Sequence, residues 1–399
     1  MRIESSSVEN SLNSLLQWIT KNGWAGYDPY DVRGQDWFIK LFGKQTKLYR
    51  KIRGLLTLLE LNIPPSIVRK LLCINKTINP KGMGLLASSY LSLFRATHED
   101  SYLRQAEDIL DWLYDNYNDH YGGFSWGYPF HWQSRVFLPK GTPSSVVTGT
   151  IGDAWIDHYL LTGSERSLDV CRGISQFFLS SLNRHQKASN QICFSYTPLD
   201  NFRVHNASLF VANFLARMAA IDNDDDDLMK IALSAVRYTL AEQNQDGSFC
   251  YWGNEPSSIV DHYHTGFVLR HLDTIRKSSG DDSFADNIEA GYEFYRLKLF
   301  DEEGLPKFTP ESLFPIDIHS CSEAILTLNQ LQENPQNDKL LSIVIEFVQR
   351  KMLSSKGYYI AEIRKRWWGE QKVDIAYMRW GQCWMLYSYA RLYENMITK

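Results

Sequence analysis

The sequence predicts an all-α protein whose helices form an (α/α)6 toroid, a ring of six inner helices surrounded by about six outer helices. Three observations lead to this fold class. A segment that is apolar on nearly every side recurs six times along the chain. Helices with a single apolar stripe alternate with these segments, as expected for an outer layer. The loops at one end of the helices are long and aromatic, whereas the turns at the other end are short.

The predicted inner helices carry small residues such as Gly84, Gly152 and Gly266. Because these helices are apolar nearly all round, we expect them to be buried on most sides. In chain order they begin near Lys81, Ser144, Val204, Val260, Ile316 and Ile375.

The predicted outer helices begin near Ser101, Ser164, Asp227, Asp282 and Asn337. Ser101, Ser164 and Asp282 are suitable N-caps, because their oxygens accept hydrogen bonds from first-turn amides. The outer helix that closes the ring is predicted to begin at Leu48, with a helix over residues 8–20 nearby. We expect one domain over residues 1–399, with residues 1–45 packed across the long-loop end. Short β-hairpins are predicted in those loops, near residues 191–197, 248–252 and 357–363.

Charge and composition exclude several classes of protein. The 42 Lys and Arg residues nearly balance the 46 Asp and Glu residues, giving a net charge of −4, which disfavours a role in nucleic-acid binding. No segment approaches the roughly 18 consecutive apolar residues of a membrane span. The first ten residues are polar, so no signal peptide is predicted. The six cysteines form no CxxC pair, which fits buried thiols, and we expect a cytoplasmic protein.

Polar side chains cluster where the predicted inner helices begin, although those helices are otherwise apolar. Since the inner helices all begin at one end of the ring, we expect these side chains at the mouth of a central cavity. Helix capping alone is the alternative explanation for Asp261 and Asp317. The cluster contains His205, Asn206, Asp261, His262, His264, Asp317, His319, Tyr377, Arg379 and Trp380.

Neither a metal site nor a cofactor is expected in this cluster. His262 and His264 are two residues apart, so on a helix they point about 200° apart and cannot both bind one ion from the same turn. The sequence also lacks a glycine-rich phosphate loop and a dinucleotide fingerprint. The acidic run at residues 222–227 is interpreted as a solvated turn.

The long loops add basic and aromatic side chains at the same end. Residues 361–380 contain five basic and three acidic residues. Guanidinium groups beside indole rings suit a sugar that carries a carboxylate. The alternatives are a solvated charge run and an internal ion pair of Arg379 with Asp317, Glu323 or Asp374. The loop residues predicted to bind substrate are Asp28, Arg33, Trp126, His131, Arg135, Arg364, Arg366 and Trp367.

Five short motifs resemble the recurring signatures of a bacterial toroid family met among exopolysaccharide and O-antigen biosynthesis proteins. They are YDPYD at 27–31, VHNAS at 204–208, VDHYHTGF at 260–267, IDIHSCSEAI at 316–325 and YMRWGQCW at 377–384. More distantly, the chain is similar to six-hairpin glycosidases such as unsaturated glucuronyl hydrolases, to N-acylglucosamine epimerases and to glucuronyl C5-epimerases. The His-Asp that precedes Gly-Phe in the hydrolases is matched here only by His264-Thr265, without the aspartate.

The resemblance and the residues together suggest an enzyme of surface-polysaccharide assembly that acts on a uronate-type sugar. The expected chemistry is C5-epimerisation or β-elimination, in which Arg366 and Arg379 neutralise the carboxylate. His264 or Tyr377 is the expected base, and His205 or His319 the expected acid. Two alternatives remain open. One is a glycoside hydrolase that uses Asp261 and Asp317, and the other is a non-catalytic glycan-binding or assembly protein. The expected partner is an anionic carbohydrate.

Overall fold

Helices dominate the structure, a computed structural model that describes residues 5–42, 51–52, 54–55, 62–221, 226–253, 255, 258–331 and 335–398. Fourteen α-helices, two short π-helical segments (Val348–Met352 and Met378–Cys383) and seven strands are present in these residues. The helices are α1 (Ser5–Asn22), α2 (Asp36–Phe42), α3 (Pro65–Leu71), α4 (Pro80–Thr97), α5 (Asp100–Asp115), α6 (Ser145–Thr162), α7 (Glu165–Ser181), α8 (His205–Ile221), α9 (Asp226–Leu240), α10 (His262–Ser279), α11 (Ala285–Lys298), α12 (Ile318–Gln330), α13 (Pro335–Phe347) and α14 (Trp384–Thr398).

Six of these helices form a closed inner ring. Each packs against the next in the order α4, α6, α8, α10, α12 and α14, and α14 returns to pack against α4. The first five inner helices are each followed along the chain by an outer partner, namely α5, α7, α9, α11 and α13. The predicted all-α toroid is therefore confirmed.

The sixth outer position is occupied by α1, which packs against α14 from the other end of the chain. Its apolar stripe of Val8, Leu12, Leu15 and Ile19 is buried in the common core. The segment that we expected in this position, from Leu48 onward, lies largely outside the described residues. The helix expected only nearby, over residues 8–20, is the one that completes the sixth hairpin.

Glycines allow the inner helices to approach one another closely. A Cβ atom on Gly84 of α4 would lie 2.9 Å from Cγ1 and 3.0 Å from Cα of Ile151 on α6. On α6, a Cβ atom on Gly152 would lie 2.5 Å from the ring of Phe214 on α8. Since non-bonded carbon atoms prefer separations of about 3.5–4.0 Å, a larger residue at either position would separate neighbouring helices of the ring.

Short strands lie in the loops of the long-loop end, as the sequence predicts. A hairpin pairs β3 with β4, and the strands β5, β6 and β7 form a small antiparallel sheet. The segment 248–252 contains no strand and makes only an isolated bridge between Trp252 and Val204. The strands are β1 (Trp132–Gln133), β2 (Phe137–Leu138), β3 (Arg184–Ala188), β4 (Gln191–Phe194), β5 (Ile316–Asp317), β6 (Glu362–Arg366) and β7 (Gly369–Val373).

The six cysteines are all free thiols, and all except Cys73 are buried. Of the acidic run at 222–227, residues 222–225 lie outside the described part of the chain. Among the helices that can be described, none combines the length and the apolar character needed to cross a membrane.

Candidate functional site

Two adjoining cavities open at the long-loop end of the ring. The central cavity, of about 100 Å³, lies over the N-termini of the inner helices, and the adjoining cavity, of about 340 Å³, lies beside β5 and β6. Tyr30, Tyr263 and Trp380 line both, so the two spaces meet at these rings. The rest of the central cavity is lined by Lys81, Tyr128, Phe130, Trp132, Val146, Tyr196, Asn206, Tyr251, His264, Phe267, His319 and Arg379.

His264 lies on the wall of the central cavity and is oriented by Asp261. The Oδ2 atom of Asp261 is 2.6 Å from Nδ1 of His264, and Oδ1 accepts the backbone N–H of His264 at 2.9 Å. Asp261 therefore caps α10 and holds the imidazole ring in the same contact. A carboxylate on Nδ1 keeps the proton there and leaves Nε2 as the basic nitrogen. This is the arrangement of an activated general base.

His319 lies in the same cavity, within a cage of aromatic rings. Its ring stacks on Tyr263 at 4.8 Å and on Trp384 at 4.8 Å, and meets Trp380 edge-on at 4.4 Å. Both ring nitrogens are buried without a hydrogen-bond partner among the described residues. Burial, with the nearby charges of Lys81 and Arg379, holds the pKa of His319 well below its usual range. The ring is therefore neutral and offers one donor and one acceptor to a ligand.

Lys81 is a residue of the central cavity that the sequence analysis did not select. It lies in the first turn of α4, where its backbone N–H is accepted by the side chain of Asn79 at 3.1 Å. Its side chain is buried among aromatic rings of three other inner helices. The signal was available, since Lys81 is the lone charged residue at the start of an apolar helix and is the second residue of that helix, as Asn206 and Tyr263 are in later repeats.

Arg379 lines the central cavity but is paired with an acid of the protein. Its Nε and Nη2 atoms donate to Oδ2 and Oδ1 of Asp28 at 2.7 and 2.9 Å. Of the three internal partners suggested by the sequence, Glu323 binds Arg270, Asp317 accepts from Trp380, and Asp374 accepts from Tyr358. The internal ion pair is thus present, but its acid comes from the N-terminal segment.

Residues 26–34 cross the inner helices at the site end. The backbone O of Tyr27 accepts from Met378 N at 3.1 Å, which pairs this segment with the start of the last inner helix. Asp28 also accepts from Asn79 at 3.3 Å, and Asp31 binds the buried Arg69. The two acids of the YDPYD motif are therefore each bound to an arginine of the scaffold.

Asp317 and Glu362 face each other across the pairing of β5 with β6, and both line the adjoining cavity. Asp317 caps α12 and accepts from Nε1 of Trp380 at 3.0 Å. Burial, reinforced by the charge of Glu362, raises the pKa of Asp317 to about 7. Glu362 is also bound by Arg364. Arg33, Arg364 and Tyr377 line this adjoining cavity rather than the central one.

Three predicted site residues are instead held in the walls of the ring. Nε1 of Trp126 donates to the backbone O of Leu113 at 2.9 Å within the core. His205 lies 3.4 Å from Glu242 and against the ring of Tyr238. His262 is fully buried, with its ring nitrogens 2.9 Å from Leu299 O and 2.6 Å from Tyr295 Oη. Burial lowers the pKa of His262 to about 4. None of the three lines either cavity.

Four predicted residues lie in the loops outside both cavities. His131 and Arg135 pair with Asp36 and Glu255, respectively. Arg366 donates to Gln371 at 2.6 Å across the β6–β7 hairpin. Trp367 lies at the tip of that hairpin with 92% of its surface exposed.

The aromatic lining of the central cavity comes mainly from tyrosines that the sequence analysis did not name singly. Tyr128 and Tyr196 belong to the long loops, as does Tyr251, which lies 4.4 Å from the ring of His264. The aromatic content of these loops was the available signal. Such rings suit stacking against the apolar faces of a sugar.

A further cavity of about 380 Å³ opens at the short-turn end, between the C-terminal halves of the inner helices. Its charged side chains bind one another, since Arg217 bridges Asp153 and Asp157 at 2.6 and 2.5 Å, and Arg391 binds Glu394. Among the described residues, no group of three or more His, Cys, Asp or Glu side chains is arranged to hold a metal ion.

No protein-family model matches the sequence, and no curated protein matches it. Solved structures do match. A cellobiose 2-epimerase from Bacillus thermoamylovorans gives a TM-score of 0.64 at 13% identity, over 80% of this chain and 88% of that chain. An unsaturated glucuronyl hydrolase specific for heparin gives 0.61 at 9% identity, over 97% and 96% of the two chains. A family 76 glycoside hydrolase (mannosidase) from Bacteroides thetaiotaomicron gives 0.60 at 13% identity, over 98% of each.

The chain shares the (α/α)6 toroid fold of these structures. Its structural neighbours are carbohydrate epimerases and glycoside hydrolases. At these identities the likeness concerns the fold alone, because one fold supports many reactions. The chemistry of the six-hairpin chain must therefore be argued from its own cavity.

Proposed function

We propose that the chain is a carbohydrate-active enzyme that removes a proton from a sugar carbon next to a carbonyl or carboxylate group. The observation that carries this proposal is the His264–Asp261 pair on the wall of the central cavity, with the neutral His319 in the same space. A base with an orienting carboxylate, close to an uncharged hydrogen-bond donor, is suited to proton abstraction.

In the proposed reaction, Nε2 of His264 takes the proton and the C–H electron pair moves onto the neighbouring carbonyl or carboxylate oxygen. An N–H of His319 donates to that oxygen while its negative charge develops. A neutral imidazole already carries the N–H that donates this hydrogen bond, so its protonation state need not change first. If a second acid delivers a proton to the opposite face while His264 keeps the one that it removed, the carbon is inverted. Return of the proton from His264 to the adjacent carbon isomerises the sugar, and loss of the β-substituent with its electron pair gives elimination.

The finer assignment to a uronate and to surface-polysaccharide assembly rests on the sequence resemblance. The roles predicted for Arg366 and Arg379 are not supported, because one binds Gln371 and the other binds Asp28. Tyr377, predicted as the alternative base, and His205, predicted as the alternative acid, do not line the central cavity. His264 and His319 remain from the predicted acid–base set.

The test is deuterium uptake from D2O, followed by NMR, with cellobiose, mannose and a glucuronate-containing disaccharide as substrates. We expect His264→Gln to lower the exchange rate by roughly 10²–10⁴-fold, the usual contribution of a general base. Asp261→Asn should also lower it, because the amide no longer fixes the ring nitrogen that carries the proton. His185→Gln, on the exposed strand β3, is the matched control and should exchange normally. Exchange that persists in His264→Gln would refute the proposed base.

Glycoside hydrolysis is a second candidate, favoured by the pKa of Asp317 near 7 and by Glu362 in the same cavity. A carboxyl that keeps its proton near neutral pH can serve as general acid, with a second carboxylate as base or nucleophile. Asp261, the partner predicted from sequence, is bound to His264 instead. Release of new reducing ends that Asp317→Asn abolishes, without deuterium uptake, would favour hydrolysis over the first proposal. Absence of both reactions would favour a glycan-binding protein.

A further inference from the structure

Lys81 is a basic residue buried in the central cavity. Only 3% of the residue is exposed, yet it lines the cavity beside His319 and Arg379. Its Nζ atom lies 5.5 Å from the ring centroid of Phe210, 5.6 Å from that of Phe267 and 5.1 Å from that of Trp384. The negative faces of these rings can hold an ammonium group in place, but they carry no charge that neutralises it.

The acids around Lys81 are already bound to other cations. Asp28 binds Arg379 through both carboxylate oxygens. Glu323 likewise binds Arg270, at 2.6 and 3.0 Å. Among the described residues, no carboxylate lies within ion-pair distance of Nζ of Lys81. Each of the two arginines therefore has an acid partner, whereas Lys81 has none among the described residues.

The position of Lys81 in the helix adds to this imbalance. Lys81 lies in the first turn of α4, and the N-termini of the other inner helices begin at the same end of the ring. Helix N-termini carry partial positive charge, which disfavours a cation and favours an anion. Burial, with the charge of Arg379, lowers the pKa of Lys81 well below its usual range. A negatively charged ligand at this place would offset both effects.

We propose that Lys81 binds the carboxylate of an acidic sugar and so makes the central cavity selective for uronates. The proposal rests on the function proposed above and names its substrate class. The single positive charge that Lys81 carries once protonated matches the single negative charge of a carboxylate better than that of a phosphate dianion. The hydrogen-bonding capacity of the neutral His319 is available to the same ligand. The anion-binding role assigned to Arg366 and Arg379 from sequence thus passes to Lys81.

The test is calorimetric binding of D-glucuronate, D-glucose and D-glucose 6-phosphate to the full chain. We expect the wild type to prefer glucuronate over glucose by at least tenfold, and Lys81→Met to lose that preference. Methionine is only one atom shorter than lysine and is apolar like the surrounding cage, so the variant should stay folded, which its melting curve checks. Lys140→Met, an exposed loop lysine bound to Asp36, is the control and should keep the preference.

Proton uptake provides a second readout. If a carboxylate recruits the ammonium form of Lys81, glucuronate binding should take up protons in the wild type, and buffers of different ionisation enthalpy reveal this. The Lys81→Met variant should take up fewer protons than the wild type when it binds glucuronate. The comparison between variants is needed because other ionisable groups lie close enough to interact electrostatically with Lys81 or with His319: Asp28, Arg270, His271, His264, Glu323 and Arg379.

Equal binding of glucose and glucuronate by the wild type would overturn the proposal, as would an unchanged preference in Lys81→Met. Stronger binding of glucose 6-phosphate than of glucuronate would overturn the choice of a carboxylate. Deuterium exchange is measured separately, so the two ideas can fail separately. A Lys81-dependent preference for glucuronate without exchange would leave this binding site standing and refute the proposed reaction.

Discussion

Asp317 should make the stability of the protein depend on pH. Its side chain is 5% exposed, and its pKa is about 7 in the folded protein against 3.8 for an ordinary aspartate. Because the folded pKa lies above the unfolded one, the unfolded chain releases this proton first as the pH rises. The contribution of Asp317 to stability is then lost between about pH 4 and pH 7. At about 1.4 kcal/mol per pKa unit, the loss amounts to about 4 kcal/mol.

Asp317→Asn removes the ionisation and keeps the contacts. The amide oxygen can still accept from His319 N and from Nε1 of Trp380. The free energy of unfolding of the variant, relative to that of the wild type, should therefore be about 3 kcal/mol greater at pH 8 than at pH 5. The assay is urea denaturation of both proteins at the two pH values. Asp169→Asn, exposed on α7, is the control and should show no such change.

A stability difference that is the same at pH 5 and pH 8 would refute this reasoning. It would mean that Asp317 is ionised in the folded protein at both values. Asp317 could then not serve as the general acid of a hydrolase, since that role needs a carboxyl group that is still protonated near neutral pH.

Three further predictions concern stability. Arg379→Met leaves Asp28 buried without its cation and should cost about 3–5 kcal/mol in chemical denaturation, whereas a loss below about 1 kcal/mol would show that the pair is solvated. Trp367→Ala should change stability by less than about 0.5 kcal/mol, because the side chain is exposed, and a larger loss would reveal packing at the hairpin tip. Gly84→Ala should lower stability by about 1–3 kcal/mol, because its Cβ would lie 3.0 Å from the backbone of Ile151. A higher melting temperature for Gly84→Ala would contradict this.

The ring of inner helices was predictable because each repeat has a local pattern of apolar residues that distinguishes inner from outer helices. A helix that is apolar all round must be buried, and one with a single stripe must lie outside it. The partner of α14 was not predictable in this way. An apolar stripe on residues 5–22 specifies burial but not which surface covers it, and the matching surface lies more than 350 residues away.

The sequence predicts the end of the ring at which the candidate site lies better than it predicts which residues face the cavity. Successive helix residues point about 100° apart, so the residue that faces the cavity depends on where each helix begins. His264 and Asn206 line the cavity, whereas His262 and His205, close beside them in sequence, turn into the walls. The pairing of Arg379 with Asp28 joins positions 351 residues apart and follows from tertiary structure alone.

The sixth hairpin, which α1 and α14 build from opposite ends of the chain, has a consequence for biosynthesis. Ribosomes make α1 and α4 long before α14. The apolar surfaces that α14 will cover on both helices therefore stay exposed until residues 378–398 have been synthesised. Contacts of such sequence separation form slowly and expose the nascent chain to aggregation. Arg379 and Trp380 belong to that last segment and complete the lining of the central cavity. A translation product that stops before residue 379 therefore lacks two of the side chains that line the central cavity.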